Sequence, residues 1–262
     1  MKTLLIALLL IFTHSTGFAI INFQEHMLDN KEGFKLGANG TLSQRKTLTE
    51  LLIYGIDGFI RFKSNKHFIL AVGSYHFGKS VSNSQATRII NNNAFHLRYK
   101  YQLMDKLGIE IFAQREFNEF LRFENRILLG VGPRFTIIKS KEVDLNIGTA
   151  YMFEFDEFTQ ELSSKTFSDS GKKTKTNRLA SYLSLHIAIN ESLKLFSTLF
   201  YQPAFDDFSN YRLLSENILI IDISKIVFLK LSYILTYDSI PAETVGNKST
   251  RLFIGPGIKL NF

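Results

Sequence analysis

The feature of this chain that most limits its fold is a two-residue alternation of apolar and polar side chains, which recurs in twelve stretches. The pattern is clearest in residues 251–262, where polar or small residues fall on one parity and the apolar residues fall on the other. The apolar set is Leu252, Ile254, Ile258, Leu260 and Phe262. Successive side chains of a β-strand point to opposite faces, so each stretch predicts a strand with one apolar and one polar face.

The length of these stretches indicates a membrane protein. Each has about the ten residues that a tilted strand needs to cross a bilayer, whereas strands of soluble proteins average about five or six. We therefore predict an all-β fold, a twelve-stranded antiparallel transmembrane β-barrel. The predicted strands cover residues 34–42, 51–62, 67–77, 94–103, 107–117, 123–137, 143–155, 178–189, 192–202, 210–222, 226–238 and 250–262.

The connectors between the stretches also alternate. Every second connector is a tight turn, at residues 63–66, 104–106, 138–142, 190–191 and 223–225. The others are mostly longer or more polar, at residues 43–50, 78–93, 118–122, 157–177, 203–209 and 239–249. A transmembrane barrel has short periplasmic turns and longer outer loops. An even number of strands with both termini in the periplasm places every tight turn on one side, as observed.

Charged residues occur in the middle of the long stretches, on the polar parity. Arg or Lys on the lipid face near mid-membrane costs ~2–4 kcal/mol, and in hydrocarbon only a closed barrel satisfies the strand backbones. These charges are therefore predicted to face the lumen. The basic set is Lys35, Arg61, Arg98, Lys100, Arg126, Arg134, Arg178, Lys194, Arg212, Lys230, Arg251 and Lys259, and the acidic set is Asp57, Glu110, Glu116, Glu124, Asp144, Glu154, Glu216 and Asp238.

Aromatic residues gather near the ends of the stretches, which is typical of the girdles at the two membrane interfaces. They are Phe62, Phe77, Phe95, Tyr101, Phe155, Tyr201, Tyr237 and Phe262.

The beginning of the chain predicts export. Lys2 precedes a short apolar segment at residues 4–12, and the small residues Gly17 and Ala19 follow it. This order is that of a cleavable signal peptide, predicted here as residues 1–19 with the barrel domain at residues 20–262. The apolar segment is far shorter than the ~20 residues of a spanning helix. The chain has no cysteine, so backbone pairing and packing must stabilise it without disulfides.

Several motifs resemble one family. They are IFAQREFNEF at residues 111–120, RILLGVGPRF at 126–135, LNIGTAYMFEFDE at 145–157 and YDSIPAETVGNKSTRLFIGPGIKLNF at 237–262. In order and spacing they resemble the DUF481 family of salt-induced outer-membrane proteins. The resemblance implies a Gram-negative outer-membrane barrel without a defined biochemical activity. The final strand also looks like the signal read by the barrel-assembly machinery, carried by Ile258, Leu260 and Phe262.

The predicted lumen favours a passive function. Twelve cationic against eight anionic inward residues, a difference of four, favour a narrow, weakly anion-preferring pore for small solutes or ions. The alternative is a structural or surface-interaction barrel whose lumen is plugged by ion pairs. Arg126 and Arg134, which flank Gly130 and Gly132, are the leading candidates for the lining. The predicted lumen-lining residues are Arg98, Lys100, Glu110, Glu124, Arg126, Arg134, Glu154, Arg178, Glu216, Lys230 and Arg251.

Other function classes have little support in the sequence. A remote alternative is an outer-membrane lipid hydrolase, because His186 shares a face with Ser184. No catalytic residue, metal ligand or cofactor is predicted, since the histidines are dispersed and no cysteine is present. The net charge of +7 is scattered and forms no nucleic-acid-binding stripe. Basic residues could instead meet outer-membrane lipid and lipopolysaccharide.

Overall fold

The computed structural model describes residues 32–261, apart from residues 47–48, 83–84, 160 and 163–164. The predicted signal peptide and Phe262 lie outside the described residues. The strands are β1 (Gly33–Lys46), β2 (Thr49–Ser64), β3 (His67–Ser82), β4 (Gln85–Met104), β5 (Leu107–Asn118), β6 (Phe123–Lys139), β7 (Val143–Phe158), β8 (Glu161–Leu162), β9 (Lys165–Thr166), β10 (Lys173–Ala188), β11 (Leu193–Pro203), β12 (Tyr211–Asp222), β13 (Val227–Asp238) and β14 (Lys248–Asn261). Among these residues no helix is long and apolar enough to cross a membrane.

Twelve of the strands close into one barrel, in the order β1-β14-β13-β12-β11-β10-β7-β6-β5-β4-β3-β2. All neighbours are antiparallel, and β1 pairs with β14 to complete the ring. The short strands β8 and β9 form a separate two-stranded hairpin within the connector between β7 and β10. The prediction of a twelve-stranded antiparallel barrel is confirmed.

The prediction of two outer connectors is wrong in extent. Residues 43–50 and 78–93 were expected to be loops, but β1 continues to Lys46, β2 begins at Thr49, β3 continues to Ser82 and β4 begins at Gln85. The hydrophobic alternation ends where these strands leave the lipid, but their backbones remain paired beyond it. A register shift at Gly78 and Lys79 lies at the start of one such extension, as expected of bulges near barrel rims.

The outer surface of the barrel is apolar. In β6 the outward side chains Leu129, Val131, Phe135 and Ile137 are exposed, while the alternate residues, such as Leu128, are buried. Aromatic clusters lie near the ends of this surface. Tyr211 stacks on Tyr237 at 5.6 Å near the outer end, and His67 and Tyr101 are 5.2 Å apart near the periplasmic end. An apolar wall around a closed, backbone-satisfied sheet is the arrangement that a bilayer requires.

Candidate functional site: the barrel interior

The interior contains a continuous apolar cluster. Its buried members come from nine strands, and Phe59 and Ala150 pack against them. Such close packing leaves little room for solute. The cluster comprises Phe68, Leu70, Val72, Ala94, Phe112, Leu128, Met152, Ala180, Tyr182, Phe200, Leu214 and Ile234. This cluster was not predicted, because the inward parity was assigned as polar.

Glycines on the neighbouring strands accommodate the rings of this cluster. A Cβ atom added to Gly130 would overlap the Phe112 ring, and one added to Gly148 would overlap the Tyr182 ring. Both glycines therefore serve close approach of a ring to the backbone. The space beside Gly130 is filled by an aromatic ring from β5.

A buried ionic cluster, here called the central cluster, lies beside these rings. Arg98 Nη1 is 2.5 Å from Glu110 Oε2, and Arg134 Nη1 is 3.4 Å from Glu110 Oε1. The Tyr182 hydroxyl donates to Glu110 Oε2 at 2.9 Å and accepts from Arg134 Nη1 at 3.0 Å. The Arg98 guanidinium also lies 4.6 Å from the centroid of the Phe112 ring. One carboxylate thus holds two guanidinium groups and a phenol together, in a region of low polarity.

A second ionic cluster, the outer cluster, lies on the inner wall nearer the outer loops. Arg126 binds Asp156 through two hydrogen bonds of 2.8 Å each. Arg212 pairs with Glu154 and donates from Nε to Asp238 Oδ2 at 2.7 Å. Arg178 Nε donates to Glu154 at 3.2 Å. Three guanidinium groups and three carboxylates therefore form one network, and buried charges in such an arrangement are compensated.

The free space beside the central cluster is small. It is bordered in part by Arg98, Glu110, Phe112, Tyr182 and Phe200, and its volume is about 10 Å³. This is about the space that one water molecule requires.

The structure places the predicted lumen-lining residues in three groups. Ten lie on inward positions, seven of them buried and three partly buried. The buried ones are Arg98, Glu110, Arg126, Arg134, Glu154, Arg178 and Glu216, and the partly buried ones are Lys100, Lys230 and Arg251. Glu124 differs from the prediction, because its side chain is exposed. A register shift between Phe123 and Asn125 gives the inward position to Phe123, whose ring lies 3.5 Å from the Arg126 guanidinium.

Some important residues of the interior were missed from the sequence. Asp156 was missed because the seventh predicted strand ended at residue 155, one position before it. Tyr182 and Phe112 are absent from the predicted lumen lining, because that set contains only charged residues of the polar parity. Each interrupts the alternation of its strand, and that interruption was the available signal.

Arg122 connects three outer connectors above the barrel. It is buried, in the turn between β5 and β6, with φ at 64°, a region that residues other than glycine rarely adopt. Its Nη1 lies 2.5 Å from Asp169 Oδ1 and 3.2 Å from the carbonyl oxygen of Glu243. Its guanidinium lies 3.8 Å from the Phe167 ring. Because residues 167–169 and 243 follow strands on distant parts of the ring, we call this set the outer cap.

Two carboxylates of the outer cap have lowered pKa values. Burial raises the pKa of Asp169, but hydrogen bonds from the Glu243 backbone N–H and from Arg122 outweigh it and hold the pKa below its ordinary value of 3.8. The hydroxyl and backbone N–H of Ser168 donate to Glu243 and lower its pKa below 4.5. Both groups are therefore ionised at neutral pH and hold the cap together.

The pair considered for hydrolysis is not arranged as a catalytic pair. The Ser184 hydroxyl is buried and has no hydrogen-bond partner among the described residues, so it is not bonded to His186. The His186 ring stacks on Phe196 at 4.7 Å instead. Acyl transfer by a serine requires the hydrogen bond between the nucleophile and its base. In the part of the chain that the structure describes, no three His, Cys, Asp or Glu residues are grouped to hold a metal ion.

The fold and the packed interior define a transmembrane β-barrel of the outer-membrane type. Residues 60–258 match the DUF481 family, described as a protein of unknown function. The chain belongs to this family, which confirms the resemblance. No curated protein matches the chain.

Solved structures that are similar to this chain are outer-membrane barrels. A NanC porin is 13% identical with a TM-score of 0.46, covering 86% of this chain and 97% of its own. The translocator domain of the autotransporter NalP from Neisseria meningitidis is 11% identical with a TM-score of 0.47, covering 91% and 92%. A KdgM porin is 10% identical with a TM-score of 0.44, covering 88% and 99%.

Proposed function

We propose that this protein is an outer-membrane barrel with a plugged lumen, which acts as a structural or surface-interaction protein. The observation that carries the proposal is the filled interior. The apolar cluster crosses the lumen, and the space beside the central cluster has room for about one water molecule. A solute pathway would require these side chains to move.

The ionic clusters favour a permanent plug. Arg98 is 1% exposed and Glu110 is 4% exposed, so separating them would leave buried charges without partners. Removing one partner of a buried pair costs about 3–5 kcal/mol. The outer cap adds a second barrier, because Arg122, Asp169 and Glu243 join connectors from different parts of the ring. The outer connectors are then the surface available to a partner outside the cell.

A narrow, weakly anion-preferring pore is the second candidate. The observation that favours it is the sign of the buried charge. Of the described residues, seven arginines and five carboxylates are buried: Arg61, Arg98, Arg122, Arg126, Arg134, Arg178 and Arg212, with Glu110, Glu116, Glu154, Asp156 and Glu216. A surplus of guanidinium groups would favour anions if the interior opened.

Conductance of the purified protein in planar bilayers separates the two candidates. The plugged barrel is expected to give no current steps above background, while an open porin in the same lipid serves as the positive control. Discrete steps with anion selectivity, lost or reversed by Arg134→Glu, would establish the pore. If the lumen is plugged, Arg134→Glu lowers stability and leaves the conductance at background.

We further propose that the chain reaches the outer membrane after cleavage following Ala19, and that the assembly machinery recognises Ile258, Leu260 and Phe262. Ile258 is exposed on the outward face of β14, which suits recognition of an apolar strand. The Leu260 side chain and Phe262 lie outside the described residues. Sequencing the N-terminus of the mature protein tests the cleavage, and the insertion rate of a Phe262→Ala variant tests the recognition.

A further inference from the structure

The barrel wall is incompletely paired where its first and last strands meet. Among the residues that the structure describes, β1 pairs with β14 over five residue pairs, from Lys35 with Asn261 to Asn39 with Gly257. Beyond them, residues 40–46 pair with β2 alone and residues 248–256 pair with β13 alone. We call these two facing edges the open seam. Edges of this kind present unpaired backbone N–H and C=O groups.

The sequence explains why the pairing stops. If the register continued, Gly40 would face Pro256, and proline has no backbone N–H to donate. Further along, Arg45 would face Arg251, and like charges directly opposite each other are destabilising. The open seam is therefore a consequence of specific residues at the positions where it begins and ends.

The outward faces of the open seam are apolar. Leu42 is 77% exposed on β1, and Leu252 and Ile254 are 56% and 58% exposed on β14. These side chains lie in the outer half of the wall, because they follow the paired segment in the direction of the outer loops. They provide a surface along which an acyl chain can pack.

The outer ends of the open seam carry lysines. Lys46 and Lys248 are exposed, and the side chain of neither forms an ion pair or hydrogen bond with a described residue. Glu50 lies opposite Lys46 on β2. Lysines placed above an apolar surface match the order of groups in an anionic lipid, with its phosphate above its acyl chains.

We propose that the open seam binds an anionic lipid of the outer leaflet. Its phosphate contacts Lys46 and Lys248, and one acyl chain lies along Leu42, Leu252 and Ile254. Phosphate oxygens accept hydrogen bonds from the unpaired N–H groups of the edges, and headgroup hydroxyls donate to the unpaired carbonyls. In hydrocarbon such groups need partners, and an acyl chain alone supplies none.

Paired cysteines test whether the seam is open. Because the chain has no cysteine, introduced residues are the only thiols. The test pair is Leu42→Cys with Ile254→Cys, and the matched control is Ala38→Cys with Ile258→Cys in the paired segment. On oxidation we expect the control to form an intramolecular disulfide and the test pair to remain reduced. A test pair that crosslinks as completely as the control would overturn the proposal.

Native mass spectrometry of the delipidated barrel tests the ligand. We expect phosphatidylglycerol to bind and phosphatidylcholine with the same chains to bind much less. The Lys46→Gln/Lys248→Gln variant should bind phosphatidylglycerol about tenfold more weakly. The control, Lys141→Gln/Lys225→Gln, removes the same charge from exposed periplasmic turns and should bind like the wild type.

Three further results, two from lipid binding and one from crosslinking, would overturn the lipid assignment. Equal binding of the two lipids would exclude recognition of the anionic headgroup. Displacement of phosphatidylglycerol by millimolar inorganic phosphate would show an anion site without a role for the acyl chain. Intermolecular disulfides of a Leu42→Cys single variant in bilayers would show that a second copy of the chain occupies the seam.

Discussion

The Phe112 ring on β5 lies directly against the backbone of Gly130 on β6, where any larger residue would carry its Cβ atom. This contact places an aromatic ring in the buried interior, next to the guanidinium of Arg98. The closed interior therefore depends on Gly130, because the absence of a Cβ atom there leaves room for the Phe112 ring.

Gly130→Ala should destabilise the barrel by about 1–3 kcal/mol, because the new methyl group overlaps the Phe112 ring and overpacks the core. Urea unfolding of the protein in lipid vesicles measures the loss. Gly73→Ala is the matched control, since nothing lies within 4 Å of its Cβ position. Combining Gly130→Ala with Phe112→Leu should recover part of the stability. Equal stabilities of the two alanine variants would show that the ring is not held against Gly130.

Glu110→Gln should destabilise the barrel by about 3–5 kcal/mol, because Arg98 and Arg134 would remain buried without their shared carboxylate. The same unfolding experiment applies. Glu142→Gln on an exposed periplasmic turn should change stability by less than about 0.5 kcal/mol. A Glu110→Gln/Arg98→Met double variant should be more stable than Glu110→Gln alone. A cost for Glu110→Gln no larger than that of the control would contradict the central cluster.

The outer cap should loosen in acid. The pKa values of Asp169 and Glu243 are lowered in the folded protein, so their contribution is complete above their ordinary values of 3.8 and 4.5. It is lost as the pH falls below these values and through the folded pKa values. A spin label at Ile240→Cys, an exposed position in the connector that carries Glu243, should gain mobility between pH 7 and an acid pH below the folded pKa values.

The control for the acid response is the same label in an Asp169→Asn/Glu243→Gln protein. It should already be mobile at pH 7 and change little in acid. If the label in the otherwise native cap keeps the same mobility at both pH values, the carboxylates do not hold the cap.

The purified protein should not hydrolyse phospholipids, because the Ser184 hydroxyl and His186 are not hydrogen-bonded. Release of fatty acid from mixed micelles measures this activity, with and without Ca²⁺. Any slow background should be identical in a His186→Ala variant. Fatty-acid release that disappears on this substitution would restore the enzyme hypothesis.

The fold was predictable because a period-two pattern fixes strand parity from the sequence alone. Arg126 and Arg134 were placed inward by that pattern, and both are buried. The ion pairs across the ring were not predictable, since Arg212 on β12 reaches Glu154 and Asp156 on β7 only after the barrel closes. Glu124 was misplaced because a bulge shifts parity without a local sequence signal.

The apolar cluster was predictable in principle. Leu128 and Met152 lie on the polar parity of their strands and interrupt the alternation. Such interruptions mark positions where apolar side chains fill the lumen. Which of these side chains contact one another depends on how the barrel closes. The role of Arg122 was not predicted, because this residue becomes buried only when three connectors that are distant in sequence meet in the folded barrel.

The ring of Tyr182, which lies opposite Gly148, also restricts the register in which β10 can pair with β7. If β10 slid past β7 by two residues, Tyr182 would keep its inward direction but would face Asn146 or Ala150, whose Cβ atoms occupy the space that Gly148 leaves. Strand slippage is therefore penalised at this position during insertion, before the barrel closes. The aromatic residues of the interior therefore favour the correct strand register, because a misaligned intermediate cannot pack their rings.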